Sequence, residues 1–117
     1  MSKITTHILD TSKGCPAAGV TVELYVLRGD VAEEIGIGIT NADGRIADWA
    51  AADMGKGVGD GSVEKGVYKI RFETKEYFGT IPTFYPLVEI CFELTMDGHY
   101  HIPLLISPFG YSTYRGS

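Results

Sequence analysis

The stretch His99–Ser117, HYHIPLLISPFGYSTYRGS, closes the sequence and decides how the rest is interpreted. An apolar, β-branched run is followed by a Pro/Gly turn signal and a second, more polar run, which predicts two strands joined by a turn. His99 and His101 are two residues apart, so a strand places both on one face, with Tyr100 and Ile102 on the other. The stretch therefore predicts either a sheet edge or part of a site.

Short alternating runs separated by glycine occupy most of the remaining sequence, which contains 15 glycines. This pattern is typical of an all-β sandwich or barrel. Thr74–Thr80 has a plausible N-cap and an early acidic residue, which favours one or two turns of helix. With no internal repeat and no boundary signal, residues 1–117 are predicted to form a single domain. The other predicted strands are Ile4–Asp10, Val20–Leu27, Glu34–Thr40, Val67–Glu73 and Leu87–Thr95.

Three connections have clear local signals. Thr11–Gly19 is a loop because glycine and proline interrupt regular structure there, and Asn41–Gly44 is a strong turn signal followed directly by Arg45. Trp49–Gly66 is glycine-rich without alternation, which predicts a long connection with a short helical turn over Trp49–Met54. Its glycines lack the Gly-Lys-Ser/Thr ending of a phosphate loop.

Composition excludes several classes of protein. The net charge is −5, which argues against a sequence-independent nucleic-acid binder because such proteins need a basic face. No apolar run approaches membrane-spanning length, and the N-terminus lacks the apolar segment of a signal peptide. Cys15 and Cys91 have no CxxC partner and are interpreted as reduced thiols, Cys91 as a small hydrophobic residue within a strand. We therefore expect a cytoplasmic protein.

The three histidines admit three interpretations. A strand histidine is most often a hydrogen-bonded surface residue. His7, His99 and His101 could instead bind zinc, since His-x-His on a strand is a known ligand spacing, although no fourth ligand stands out. Histidine is also the natural general base near neutral pH. His7 lies on the strand face opposite the more apolar side chains, where it can meet solvent or a ligand.

Arg45 and the polar C-terminal residues are also open to two interpretations. Arg45 follows a tight turn, so it is either a solvated arginine at a strand end or a planar donor aimed at a carboxylate or a polarised carbonyl. Tyr114, Arg115 and Ser117 are either a fraying terminus or part of a site. The local patterns leave this choice open.

A family resemblance extends over essentially the whole sequence. It is carried by THILDTSKGCPAAGVTVELY at Thr6–Tyr25, TNADGRI at Thr40–Ile46, ETKEYF at Glu73–Phe78 and the whole of His99–Ser117. These segments resemble the 5-hydroxyisourate hydrolases, the transthyretin-related proteins. The final Tyr-Arg-Gly-Ser after a Ser-Pro-x-x-Tyr stretch is the most specific of them.

The resemblance implies a fold and an assembly. The fold is a transthyretin-like β-sandwich of two four-stranded sheets with one short α-helix, which would fall at Thr74–Thr80. The assembly is a homotetramer, a dimer of dimers, with active sites in the channel between the dimers. Trp49–Gly66 is longer and richer in glycine than is usual for the family, which affects the expected shape of this connection.

The resemblance also implies an activity and a set of residues. The activity is cofactor-free and metal-free hydrolysis of 5-hydroxyisourate to 2-oxo-4-hydroxy-4-carboxy-5-ureidoimidazoline, a step in urate degradation. The residues that match the family's catalytic positions are His7, Arg45 and His101, and those that match its substrate-binding C-terminus are Tyr114, Arg115, Gly116 and Ser117.

The main alternative is a non-catalytic carrier. Transthyretin proper has the implied fold and carries a hormone in the equivalent channel, but it lacks the His/Arg/His set and the Tyr-Arg-Gly-Ser end. A zinc-dependent hydrolase that uses the three histidines is a further alternative.

Overall fold

The computed structural model describes residues 2–46, 49 and 62–116. These residues form nine strands and one short helix. The elements are β1 (Ser2–Asp10), β2 (Cys15–Pro16), β3 (Thr21–Arg28), β4 (Val31–Ile39), β5 (Ser62–Val63), β6 (Gly66–Phe72), α1 (Thr74–Phe78), β7 (Val88–Leu94), β8 (His99–Ser107) and β9 (Gly110–Thr113). No helix in these ranges is long and apolar enough to cross a membrane.

The strands form two sheets that pack face to face. The four-stranded sheet has the order β4-β3-β6-β7, and the five-stranded sheet has the order β2-β1-β8-β9 with β5 also paired to β1. The predicted sandwich of two sheets with one short helix is confirmed. The second sheet has five strands, not four, because two two-residue strands pair with opposite ends of β1.

The core lies between the sheets and follows from strand alternation. Every second residue of the central strands is apolar and faces the opposite sheet. The polar exceptions on the inner face of β1 are Ser2, Thr6 and Asp10. The Thr6 hydroxyl donates to the carbonyl of Ile102 at 2.7 Å. The largest fully buried apolar side chains are Phe72, Ile4, Ile8, Leu24, Ile70, Leu94, Leu104 and Ile106.

Some local predictions were wrong. The N-cap position of α1 is Glu73, which makes no side-chain capping bond. The Thr74 hydroxyl donates instead to the carbonyl of Tyr85 at 3.2 Å. Cys91 is a free thiol within a strand, as predicted, but it is exposed and not packed as a small hydrophobic residue, because alternation on the edge strand β7 turns it outward.

The connection after Trp49 is described only in part. The helical turn predicted over Trp49–Met54 lies outside the described residues apart from Trp49 itself, which is buried and donates from Nε1 to the carbonyl of Ile4 at 2.9 Å. The predicted irregular segment also contains the short strand β5. A two-residue run has too little alternation to be recognised from sequence.

Candidate active site

The outer face of the five-stranded sheet brings the histidines together. β1 and β8 run parallel, with Thr5 opposite His101 and His7 opposite Pro103. Side chains of odd-numbered residues on both strands therefore share the face that points away from the core. The prediction that His99 and His101 share one face, opposite Tyr100 and Ile102, is confirmed by the burial of the latter two.

Thr5 connects the two histidines of β8. Its hydroxyl oxygen lies 2.7 Å from His99 Nε2 and 2.8 Å from His101 Nδ1. Thr5 is a β-branched strand residue with few rotamers, so the hydroxyl is held in place by the strand itself. The hydroxyl fixes both rings relative to β1.

The turn at Asn41–Gly44 places Arg45 at the same face. The Asn41 side-chain oxygen accepts from the backbone N–H of Asp43 at 2.9 Å and of Arg45 at 3.1 Å. Gly44 has a φ of +74°, and a Cβ there would overlap the carbonyl oxygen of Ile8, so only glycine fits against β1. This close approach pairs the backbone of Arg45 with that of His7.

The C-terminal segment packs against His101. The backbone N–H of Gly116 donates to the carbonyl of His101 at 2.8 Å. A Cβ on Gly116 would lie 2.7 Å from His101 Cδ2, closer than real Cβ contacts allow. The glycine therefore lets the terminal backbone reach the imidazole ring. Ser117 lies outside the described residues.

Two of the three predicted catalytic side chains line one cavity. The cavity has a volume of about 440 Å³ and is lined by Thr5, Thr6, Asn41, Arg45, Ile46, His99 and His101. Arg45 and His101 thus come together although they are far apart in sequence. His7 lies beside this cavity through its backbone pairing with Arg45.

Tyr114 and Arg115 line a neighbouring cavity of about 250 Å³. The Arg115 guanidinium carbon lies 4.5 Å from the centre of the Tyr100 ring, a cation–π contact. His101 contributes to both cavities. Tyr114 and Arg115 therefore lie next to the Arg45 cavity, on the other side of His101.

A family model described as the HIUase/Transthyretin family matches residues 4–116. The chain belongs to the HIUase/Transthyretin family. A relative from Schizosaccharomyces pombe named probable 5-hydroxyisourate hydrolase is 44% identical, over 97% of this chain and 90% of that protein. These matches confirm the resemblance inferred from the sequence segments.

Solved structures of a hydrolase and of a carrier with this fold superpose on the chain with nearly the same TM-score. The 5-hydroxyisourate hydrolase of Klebsiella pneumoniae superposes with a TM-score of 0.79 at 39% identity, covering 99% of this chain and all of that one (100%). Sea bream transthyretin in complex with thyroxine superposes with a TM-score of 0.81 at 30% identity, covering 97% and 93%. The fold alone therefore does not separate an enzyme from a carrier, and the site has to do so.

The surroundings of His101 alter its titration. Its partial burial lowers the pKa of the ring below the ordinary value of 6.5, and the nearby Arg45, His99 and His7 lower it further. A neutral ring at neutral pH can accept a proton. This is the protonation state that a general base requires.

The described residues assemble no ligand set for the zinc alternative. In the described parts of the chain, no three side chains of His, Cys, Asp or Glu are grouped closely enough to hold a metal ion. The centroids of the His99 and His101 rings are 6.3 Å apart. The Thr5 hydroxyl lies within hydrogen-bond distance of one nitrogen of each ring.

Sequence reasoning missed Thr5 and Asn41 as members of the site of this HIUase/Transthyretin family chain. The pattern indicated that Thr5 shares a face with His7, but not that β8 lies beside β1 in the register that brings Thr5 to His101. Asn41 was interpreted only as a turn residue. Its role in holding the Arg45 backbone requires knowing where the turn packs.

Proposed function

We propose that this chain is a 5-hydroxyisourate hydrolase acting in urate degradation. The observation that carries the proposal is one cavity lined both by a neutral histidine, His101, and by Arg45, whose backbone is held by the Asn41 turn. Relatives that share about two-fifths of its residues over nearly its whole length carry the same name. We also propose that residues 1–117 form a single transthyretin-like domain.

The cavity suits a small, planar, oxygen-rich ring. Its volume of about 440 Å³ lies in the range of small-ligand sites. Arg45 offers a planar set of N–H donors that can hold ring oxygens, and the apolar side chain of Ile46 borders the same space. These features match the chemistry of a substrate derived from a purine.

The reaction needs a water molecule made nucleophilic beside a ring carbonyl. In the proposed step His101 takes a proton from water as the oxygen adds to the carbonyl carbon. Arg45 stabilises the negative charge that develops on the carbonyl oxygen. The adjacent ring C–N bond then breaks, and the nitrogen takes the proton from His101 and becomes part of the ureido group. The attacked carbon becomes a carboxylic acid, which releases its proton to solvent as the carboxylate. This route uses no metal and no organic cofactor.

The remaining predicted residues have supporting roles in this proposal. His7, held beside Arg45, would help to orient the water or the substrate. Gly116 would allow the terminal backbone to close against His101. Tyr114, Arg115 and Ser117 would shape the wall of the pocket at this end.

We further propose a homotetramer, a dimer of dimers, in which the sites face the channel between dimers. Two features support this assembly: β9 and β7 are sheet edges able to pair with another copy, and large apolar side chains are exposed near them. The most exposed of these are Phe84, Met96, Phe109 and Tyr114. We expect this assembly in the cytoplasm.

A hormone-carrier function is the competing proposal, because the fold matches the thyroxine-bound sea bream transthyretin as well as it matches a hydrolase. The polar lining of the Arg45 cavity favours catalysis. A carrier site for a large apolar ligand does not need a neutral histidine, a hydroxyl and an arginine around one space.

The test generates 5-hydroxyisourate with urate oxidase and follows its decay by ultraviolet absorbance with and without this protein. We expect the protein to accelerate the decay in proportion to its concentration. A decay rate that stays at the spontaneous value, together with saturable thyroxine binding, would establish the carrier function instead.

A further inference from the structure

One hydroxyl group of β1 touches a ring nitrogen on each of two histidines. Thr5 Oγ1 lies 2.7 Å from His99 Nε2 and 2.8 Å from His101 Nδ1. A hydroxyl has a single proton and two acceptor lone pairs, so it can donate to only one of these nitrogens. The two nitrogens cannot both be unprotonated while both bonds exist. The proton position on one ring is therefore tied to that on the other.

The contacts on His101 hold the ring at two of its edges. Thr5 lies against the Nδ1 edge. The Gly116 backbone lies against the Cδ2 edge, so closely that a Cβ would come within 2.7 Å. Nε2 is at the tip of the ring, beyond the contact with Thr5. Nε2 is thus the nitrogen that can serve as the base.

Two arrangements of protons let the Thr5 hydroxyl donate to a histidine. In a third, both rings donate to its oxygen, which leaves the Thr5 proton without a histidine acceptor and also keeps the His101 Nε2 lone pair. If Thr5 donates to His101 Nδ1, the proton of the neutral ring sits on Nε2, which then cannot accept another. If His101 Nδ1–H donates to Thr5, Nε2 keeps its lone pair and Thr5 donates in turn to His99 Nε2. The positive charge of Arg45 in the same cavity favours the second arrangement, because it attracts a lone pair and repels an N–H.

We propose that Thr5 is a positioning residue that holds His101 in the Nδ1–H tautomer, with His99 Nε2 as the acceptor that fixes the direction of the Thr5 hydroxyl. The catalytic part of this inference rests on the proposed hydrolase function. In this proposal His99 accepts the Thr5 hydrogen bond and does not act as a base. Thr5 on β1 thereby sets the tautomer of the His101 ring on the neighbouring strand β8.

The charged and titratable groups around His101 come from several elements. His7 and Lys3 project from β1, His99 from β8, and Arg45 follows the turn after β4. Replacing Thr5 changes none of these groups. A change in tautomer on removal of the hydroxyl can therefore be assigned to the hydrogen bond itself.

The test compares Thr5→Val, which keeps the shape and the strand propensity, with Thr5→Ser, which keeps the hydroxyl. We expect Thr5→Val to lower kcat by about 10- to 100-fold, as loss of a group that orients a reacting residue commonly does, and Thr5→Ser to retain most of the turnover. The matched control is Thr21→Val on β3 of the four-stranded sheet. It removes a strand hydroxyl that donates to Glu76 of α1 and should leave turnover unchanged.

A readout besides activity comes from long-range ¹H–¹⁵N spectra of the histidine rings in the full chain. We expect the His101 signals of the wild-type protein and of Thr5→Ser to be those of the Nδ1–H tautomer. In Thr5→Val the Nε2–H tautomer should gain population. Thermal unfolding of each variant reports whether it remains folded.

Two results would overturn the inference. One is an Nε2–H tautomer of His101 in the wild-type protein, and the other is wild-type turnover by a folded Thr5→Val variant. Failure of the proposed function is distinguishable, because the wild-type protein would then not accelerate 5-hydroxyisourate decay. The tautomer spectra decide the role of Thr5 in either case.

Discussion

The outer faces of the two sheets use their charged residues differently. On the four-stranded sheet, Arg71 lies 2.8 Å from Glu73 and 3.8 Å from Glu89, so its charge is matched within the sheet surface. On the five-stranded sheet, Arg45 lines a cavity and lowers the pKa of His101. Carboxylates neutralise Arg71 on the four-stranded face, whereas Arg45 on the five-stranded face lines a cavity.

The difference between the two faces comes from the residues that are cross-strand neighbours on each sheet. Arg71 is paired with Glu23 on β3 and with Glu89 on β7. Thr5 is paired with His101, so a neutral hydroxyl meets a titratable ring. Strand faces with the same alternation can thus become either an ion-pair network or a candidate site. The cross-strand register decides which of the two forms.

The largest effect is expected from removing the proposed base. His101→Asn deletes the imidazole while keeping a polar side chain of moderate size, so turnover of 5-hydroxyisourate should fall by roughly 10²- to 10⁴-fold. Steady-state rates in the urate oxidase-coupled assay measure this. Turnover within a few-fold of the wild-type value would move the base to another residue.

The next effect concerns the glycine that packs on His101. In Gly116→Ala the new Cβ would come within 2.7 Å of His101 Cδ2, so the ring or the terminal backbone must shift. We expect turnover to fall by about 10- to 100-fold with little change in melting temperature. Gly110→Ala is the matched control because its Cβ would make only an ordinary 3.7 Å contact with the Ser107 hydroxyl. Equal turnover in the two variants would contradict the close packing at Gly116.

The pH dependence should follow the His101 ring. Burial and then Arg45 lower the pKa of His101 below 6.5, so the ring is neutral and competent as a base from slightly acid pH upward. We expect kcat/KM to rise with pH along a limb centred below 6.5 and to be level at neutral pH. In Arg45→Ala the pKa of His101, followed by NMR titration of the ring, should rise toward 6.5. A fall in that pKa would contradict the proximity of the two residues.

The smallest effect is expected for Glu23 on the four-stranded face, where a substitution should change the free energy of unfolding and not turnover. Burial, a hydrogen bond with Glu73 and the charge of Glu73 raise the pKa of Glu23 from 4.5 to about 7, with Glu34 adding to the rise and Arg71 opposing it. The folded chain then holds a proton that the unfolded chain releases, so the free energy of unfolding decreases as pH rises through this window. Glu23→Gln should flatten that dependence, gaining about 1 kcal/mol near pH 8 relative to the wild-type protein.

Urea unfolding near pH 5 and near pH 8 measures the effect of Glu23→Gln. Turnover should be unchanged because Glu23 lies on β3 of the four-stranded sheet. A variant that keeps the full pH dependence of the wild-type protein would assign the dependence to other groups. A variant that loses turnover would break the separation between the two faces.

Much of the fold was accessible from the sequence because alternation is a local property. The inward faces of Ile4–Asp10 and Val20–Leu27 and the turn before Arg45 follow from neighbouring residues alone. The parallel pairing of β1 with β8 does not, since it joins segments over 90 residues apart, such as Thr5 with His101 in a bond that spans 96 positions. For the same reason Thr5 could not be recognised as a partner of His101.

The candidate site was only partly accessible. His7, Arg45 and His101 were proposed through family resemblance, and the cavity shared by Arg45 and His101 required the structure. Tyr114 and Arg115 were expected at the same pocket. Both line the adjacent cavity, where the Arg115 guanidinium lies over the Tyr100 ring, and His101 borders both cavities. A sequence pattern gives no path for an irregular segment.

The most direct test compares the same substitution in two arginines on opposite faces. Arg45→Ala and Arg71→Ala are assayed for 5-hydroxyisourate decay beside the wild-type protein, with thermal unfolding to establish that both are folded. We predict that Arg71→Ala retains wild-type turnover, whereas Arg45→Ala loses roughly 10²- to 10³-fold. Equal losses in both variants, or an Arg45→Ala variant as fast as the wild-type protein, would contradict the assignment of catalysis to the five-stranded face.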